Sequence, residues 1–213
     1  MASSAVFFIL VGPAGSGKTT IREHLVDRYR GTLKKCVTAT SRQPRPGEVE
    51  GTSYFFLSRA AFEERVARGE FVEWQETHGN LYGTLKNTLE EARISGQDLV
   101  FDIDIRGALF FRKHYPTNAV VVYIVPPTVE LLVARLSARG GSDEERKTRL
   151  RTAEREFKLF HENLGAMDYL LVNDRLSDTL SNVEAIVGAE RLRCSRCNAD
   201  RRLELCPLGP LGS

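Results

Sequence analysis

Nine residues from Gly12 to Thr20 read GPAGSGKTT, and Gly12 to Thr19 fit G-x-x-x-x-G-K-[ST], the spacing of a loop that cradles nucleotide phosphates. Glycines let such a loop turn tightly and aim backbone N–H groups at phosphate oxygens. The helix expected after it adds the positive end of its dipole. In this reading Lys18 reaches the β- and γ-phosphates of a nucleoside triphosphate and the Thr19 hydroxyl ligates Mg2+. Pro13, Ala14, Gly15, Ser16, Gly17 and Thr20 complete the loop. Asp102 closes an apolar run, where a carboxylate meets Mg2+ directly or through water, although a strand-end Asp is equally a helix cap or turn residue. The loop specifies phosphate binding but not where the last phosphate goes.

Two further stretches bear on that destination. In VTATSRQPRPGEVEGTSYFF (37–56), Arg42 and Arg45 flank Pro44, with a hydroxyl at Tyr54. Paired guanidiniums suit a terminal phosphate, whereas composition alone favours a solvated basic loop. In FVEWQETHGNLYGT (71–84), Glu73 stands among Phe71, Val72 and Trp74, where an unpaired carboxylate is costly. A purine with adjacent N–H donors would satisfy it; a strand residue facing water is the plainer alternative. Gly79-Asn80 reads as a hairpin turn that brings Tyr82 and Thr84 to one pocket.

These groups need a scaffold, and the hydrophobic pattern supplies one. Near-continuous apolar runs at 5–11, 98–104, 118–125 and 168–174 fit strands of a parallel sheet covered on both faces. Helix-like segments follow: TTIREHLVDRYR, RGALFFRKHY and VELLVARLSARG. The alternation predicts an α/β fold of the doubly wound kind. Residues 37–88 break the rhythm with short, mixed strands and read as an insertion. GGSDEERKTRL (140–150) is a second interruption, and Ser142 with Glu145 predicts a helix start that runs to about Phe160.

At 213 residues the chain can bury a proper core, and 42% hydrophobic with 27% charged residues is ordinary for a soluble protein. A net charge of +2 argues against nucleic-acid binding through bulk charge, and no partner of that kind is expected. No apolar run approaches the roughly 20 residues that span a bilayer, so no membrane association is expected either. MASSAVFFILVGPAG lacks a basic n-region, and the cytoplasm is the expected compartment.

Taken in order, GPAGSGKTT, TSRQPRPGEVEGTSYFF, FVEWQETHGNLYGT, DIDIRGA, VPPTVELLVARLSARG and DYLLVND give the chain a close resemblance to the guanylate kinase family over about residues 4–190. The resemblance implies a P-loop NTPase core (1–37, 89–139 and 151–190), a mixed α/β GMP-binding insertion (38–88), a short helical lid (140–150) and a mobile Cys-containing tail (191–213). It implies a transferase of purine metabolism that uses ATP and Mg2+ to convert GMP to GDP; use of dGMP stays open. By the same resemblance Arg42, Arg45, Tyr54 and Tyr82 hold the GMP phosphate. Thr38, Glu73, Thr84 and Asp104 read guanine, with Gly83 beside them. Arg135, Arg139 and Arg149 act with Lys18 in catalysis, and Asn173 and Asp174 lie at the ATP base.

Departures from the family pattern stand out. Thr38 and Thr84 occupy positions where serine is familiar, and Ser41 stands for a threonine. The lid is about one residue short, so Arg146 competes with Arg149 for the clamp. Two other readings stay open: a kinase-inactive protein-binding domain, which would have a degraded phosphate loop, and a kinase of a phosphorylated sugar, which would not need Glu73 with Thr84. Beyond the resemblance, Cys194-x-x-Cys197 has the spacing of a zinc half-site, yet only Cys206 follows and Cys36 is distant, short of a four-ligand set.

Overall fold

Strand β1 (Phe7–Val11) is buried at every position, as the middle strand of a sheet covered on both faces must be. The structure, a computed structural model, describes residues 5–77, 79–138 and 143–196. β1 runs parallel between β7 (Asp98–Asp102) and β8 (Ala119–Val125). β2 (Leu33–Lys35) and β9 (Tyr169–Val172) pair in parallel outside them, giving the order β2-β7-β1-β8-β9. The four expected strands are all present, three of them shorter by one or two residues at one end and β9 shorter at both. β2 was not expected.

Parallel pairing requires crossovers, which include α1 (Lys18–Arg28) and α4 (Ile105–His114), while α7 (Leu176–Arg191) packs on the sheet after the last strand. The strand period of two splits the core. Phe7, Ile9 and Val11 meet Leu99, Phe101, Tyr123 and Phe111 on one face. Phe8 and Leu10 meet Ile21 and Leu25 of α1 and Val183 and Val187 of α7 on the other. Among the described residues no helix is long and apolar enough to cross a membrane.

The stretch between α1 and β7 builds a second sheet from β3 (Ala39–Thr40), β4 (Phe55–Phe56), β5 (Phe71–Thr77) and β6 (Asn80–Leu85), in the order β4-β3-β6-β5. It is mixed, as expected, with β3–β4 parallel and the remaining pairs antiparallel. Ser58 caps α2 (Arg59–Ala67) by accepting from the Ala61 N–H, and Phe62 stacks on Phe71 at 4.3 Å. The β5–β6 turn sits one residue earlier than expected. Asn80 already pairs with Thr77 as the first residue of β6, so the turn precedes it, with Gly79 at φ 74°. Helix α3 (Lys86–Ser95) then returns the chain to the core.

Helices α5 (Val129–Ala138) and α6 (Asp143–Glu162) meet through Leu132, Leu136 and Ala153. The start of α6 at Asp143 agrees with a cap at Ser142, which itself lies outside the described residues, as do Arg139, Gly140 and Gly141. Residues 191–196, expected in a mobile tail, are instead anchored. Arg191 Nε donates to Asp98 Oδ2 at 2.7 Å, and Asp98 Oδ1 accepts from the Val6 N–H at 2.8 Å. Glu190 is almost fully buried and is satisfied by the Tyr169 hydroxyl at 2.6 Å and by the Arg196 and Arg193 guanidiniums. A buried carboxylate left without its cation is expensive. Arg196→Ala should therefore lower the free energy of unfolding by about 2–3 kcal/mol, with Arg193 still beside Glu190. Urea unfolding measures it, and a change within 0.5 kcal/mol, typical of surface sites, would contradict the anchoring.

Candidate active site

The loop from β1 to α1 lies against the ends of the neighbouring strands more closely than a side chain would allow. A Cβ on Gly12 (φ 136°) would sit 2.0 Å from the Ile124 carbonyl oxygen. One on Gly17 (φ 101°) would sit 2.3 Å from Asn173 Nδ2. Gly17 is also the N-cap of α1 and provides no side-chain cap, so the first N–H groups of the helix stay available to an anion. Lys18 Nζ donates to the Gly12 carbonyl at 2.5 Å and the Pro13 carbonyl at 3.1 Å, which folds the ammonium over its own loop. Thr19 and Thr20 stand exposed on the first turn of α1.

Asn173 was expected at the ATP base, but its amide is turned into the protein. Nδ2 donates to the Ser16 carbonyl at 2.8 Å, and Oδ1 accepts from the Thr179 hydroxyl at 3.1 Å. Its backbone carbonyl accepts from Arg135 Nη2 at 3.1 Å. The physical reason is position: a residue just beyond β9, buried at 5% exposure, must satisfy its amide internally. Asn173 thus ties together the phosphate loop, α5 and α7. Its neighbour Asp174 is exposed.

Asp102 is the last residue of β7, and its Oδ2 accepts from the Thr19 hydroxyl and from Arg22 Nη1, both at 3.3 Å. Two residues on, Asp104 caps α4, its Oδ1 accepting from the Gly107 N–H at 3.0 Å. Across from them, β5 and β6 carry a polar stripe. Glu73 pairs in register with Thr84, and Gln75 with Tyr82. The fully buried Thr84 hydroxyl donates to Glu73 Oε1 at 2.7 Å. Burial pushes the Glu73 carboxyl above the ordinary glutamate value, and the charge of Asp104 adds to that, against the Thr84 hydrogen bond. Gly83 leaves room where a Cβ would fall 2.7 Å from the Phe71 ring and 2.8 Å from the Glu73 carbonyl oxygen.

Arg42 is half-buried and parked: Nη2 pairs with Glu48 Oε1 at 2.8 Å, Nη1 donates to the Gln43 carbonyl, and the guanidinium lies over the Tyr54 ring at 5.5 Å. The Tyr54 and Tyr82 rings meet edge to face at 6.3 Å. Arg45 is exposed, and Pro46-Gly47 forms the turn after it, closed by Glu48 N–H to the Arg45 carbonyl. Glu48 Oε2 also accepts from the Arg45 N–H at 2.7 Å, so one carboxylate organises the arginine loop. Lys35, on β2, fixes the next segment: Nζ donates to the Thr52 carbonyl at 2.9 Å and to that of Ser53, 5.3 Å from the Tyr54 ring centre.

A chamber of about 260 Å³ joins the two halves. Gly12, Ala14 and Lys18 line its loop end. Thr38, Tyr54, Glu73, Tyr82 and Gly83 line the second-sheet wall, Asp102 to Asp104 the floor, and Thr152 and Glu156 of α6 the remaining side. Arg135 stands behind the loop. Arg139, Cys197 and Cys206 lie outside the described residues, as do the side chains of Arg146, Arg149 and Cys194. Cys36 is buried, which raises its thiol pKa and keeps it inert, and no metal-binding cluster of three such side chains occurs among the described residues.

Sequence reasoning missed Lys35, Glu48, Thr179, Gln75 and Glu156. Of these only Gln75 had a signal, since it alternates with Glu73 along a strand. The rest work through contacts between segments far apart in the chain.

A phosphate loop on a parallel sheet, opening onto a chamber walled by a second sheet, defines a P-loop phosphotransferase fold. The family model for guanylate kinase matches residues 4–190. The chain is 41% identical to a guanylate kinase of Geobacter metallireducens, covering 92% of this chain and 94% of that protein, and 39% identical to one of Thermotoga maritima, covering 91% of each. The solved guanylate kinase of Anaplasma phagocytophilum superposes with a TM-score of 0.73 at 28% identity, over 96% of both chains. This chain belongs to the guanylate kinase family.

Because Asn173 works through the loop it holds, Thr179→Val, which keeps the volume and removes the hydroxyl donor, should lower kcat/KM for ATP about tenfold through loss of one buried hydrogen bond. Thr179→Ser should restore it. Steady-state kinetics with varied ATP checks this, and a wild-type value for the valine variant would contradict the tie.

Proposed function

We propose that this chain transfers the γ-phosphoryl group of ATP to GMP, giving ADP and GDP. The observation that carries the reading is an intact phosphate loop facing, across one chamber, a half-buried carboxylate held by a buried hydroxyl. Glu73 accepts from the N1–H and N2–H groups that guanine presents side by side. Adenine lacks that pair, so binding it would leave the carboxylate buried and unpaired. Thr38, Thr84 and Asp104 complete the base end beside Gly83.

At the phosphate end Arg42 exchanges Glu48 for phosphate oxygens, joined by Arg45 and the Tyr54 and Tyr82 hydroxyls. At the donor end Lys18 leaves the Gly12 and Pro13 carbonyls for the β- and γ-phosphates, which also take N–H groups of the loop and α1. The GMP phosphate is already an anionic nucleophile, so positioning and charge neutralisation suffice and no general base is required. Thr19 and Asp102, a hydroxyl and a carboxylate 3.3 Å apart, fit a cation held otherwise by phosphate and water, as Mg2+ is. Bound there, Mg2+ would neutralise charge on the β- and γ-phosphate oxygens.

Arg135, Arg139 and Arg149 supply the remaining positive charge for the moving group. Helical spacing favours position 149 over 146: on α6 it falls about 20° from Glu156, which lines the chamber, against about 80° for position 146. In this reading residues 38–88 form the GMP-binding part, the remainder of 1–190 the core, and 140–150 a lid that closes to exclude water.

ADP release with each monophosphate in turn tests the assignment. GMP should exceed AMP by roughly 10³-fold or more in kcat/KM, and equal rates would sink the role of Glu73. Guanine needs the ionised carboxylate, so protons compete with GMP. KM for GMP should therefore climb as pH falls through a Glu73 pKa that burial holds above the ordinary glutamate value. Glu73→Gln should remove that dependence.

A further inference from the structure

Glu156 projects from α6 into the chamber opposite the second sheet, one helical turn after Thr152, which lines the same wall. Its Oε2 is buried and has no hydrogen-bond partner. An unsatisfied buried carboxyl oxygen is rare in a folded protein and calls for an explanation. The other acidic groups of the chamber are occupied: Glu73 by Thr84, Asp104 by the Gly107 N–H, Asp102 by Thr19 and Arg22. Burial raises the Glu156 pKa to about 7; Lys18 opposes the shift, and Asp104 and Asp102 add to it. The group is therefore not simply the counter-ion of the loop lysine.

Glu156 also borders the adjoining cleft with Thr77 and Asp104, so it stands beside the base end of the chamber as well as facing Lys18. A nucleoside monophosphate laid with its base on Glu73 and its phosphate towards Tyr54, Tyr82 and Lys18 has one part left to meet this wall. That part is the sugar, whose exposed polar groups are its vicinal hydroxyls. We infer that Glu156 is a specificity-determining residue of the acceptor site, its carboxyl group hydrogen-bonding a ribose hydroxyl of the bound monophosphate. The inference rests on the reading of the chamber as a GMP site. It holds in either protonation state, because a carboxyl accepts from a hydroxyl when ionised and can also donate to one when protonated.

The experiment compares GMP, 2′-deoxy-GMP and 3′-deoxy-GMP as acceptors for the wild-type protein, Glu156→Ala and Glu156→Gln, with inosine monophosphate as a base control. The wild-type protein should prefer GMP over at least one deoxy acceptor by about tenfold in kcat/KM, the worth of one such hydrogen bond. Glu156→Ala should bring that ratio to about one. Glu156→Gln, whose amide also bonds a hydroxyl, should keep most of it. A merely structural role would change all acceptors alike.

A wild-type ratio of about one for both deoxy acceptors overturns the inference without any variant having to fold. So does an unchanged ratio in Glu156→Ala, or a change confined to the ratio of GMP to inosine monophosphate. If the wild-type protein phosphorylates no guanine nucleotide, the functional reading itself fails, a result distinct from loss of the ribose contact alone.

Discussion

The phosphate loop rests on one backbone carbonyl and one buried side-chain amide. Gly12 lies against the Ile124 carbonyl at the end of β8, and Gly17 against the Asn173 amide just beyond β9. Both contacts are closer than any Cβ would permit, and both glycines use positive φ that other residues adopt only under strain. The loop is thereby fixed to the end of β8 through backbone and to the segment after β9 through a side-chain amide that is itself hydrogen-bonded to Ser16 and Thr179. Lys18, Thr19 and the start of α1 inherit their positions from that contact. So does Arg135, because the carbonyl it holds belongs to Asn173.

One short connection relates the two halves of the site. β7 ends at Asp102, which faces Thr19 and the loop, and Asp104 two residues later caps α4 and faces Glu73. The donor and base ends of the chamber therefore share a floor of three residues. Arg22 and Lys35 extend the link: Arg22 orients Asp102, while Lys35 grips the carbonyls before Tyr54. A shift of the second sheet relative to the first would be felt at once by both carboxylates.

Cations of the site sit on internal acceptors: Lys18 on loop carbonyls, Arg42 on Glu48, Arg135 on a carbonyl. Lys18 and Arg135 are held by neutral carbonyls, to which their bonds are weaker than charge-assisted bonds to phosphate, whereas Arg42 is held by a carboxylate. The carboxylates behave differently. Glu73 and Glu156 are lifted by burial, so the chamber disfavours bare negative charge unless a ligand offers hydrogen-bond donors. That property suits the proposed acceptor, which has donor groups on its base and sugar and negative charge only at its phosphate.

The sequence determined the loop, the sheet and the family, because each is written locally. Gly-x-x-x-x-Gly-Lys-Thr spacing, apolar runs of strand length and the order of short motifs survive reading one window at a time. The family resemblance put Glu73 and Thr84 in one pocket, but a two-residue turn at Gly79-Asn80 would set Thr84 opposite Gln75, and the folded register sets it opposite Glu73. The turn fell one residue from its expected place, because Asn80 gains a strand pairing that residue preferences do not weigh. Only the tertiary structure decided what Asn173 does, that Glu48 holds Arg42, and that residues 191–196 are anchored through Glu190 and Asp98. The reason is common to all three. A polar group's role is set by which donor or acceptor lies within about 3 Å of it, and in this chain those partners come from segments that fold together but are not neighbours in sequence.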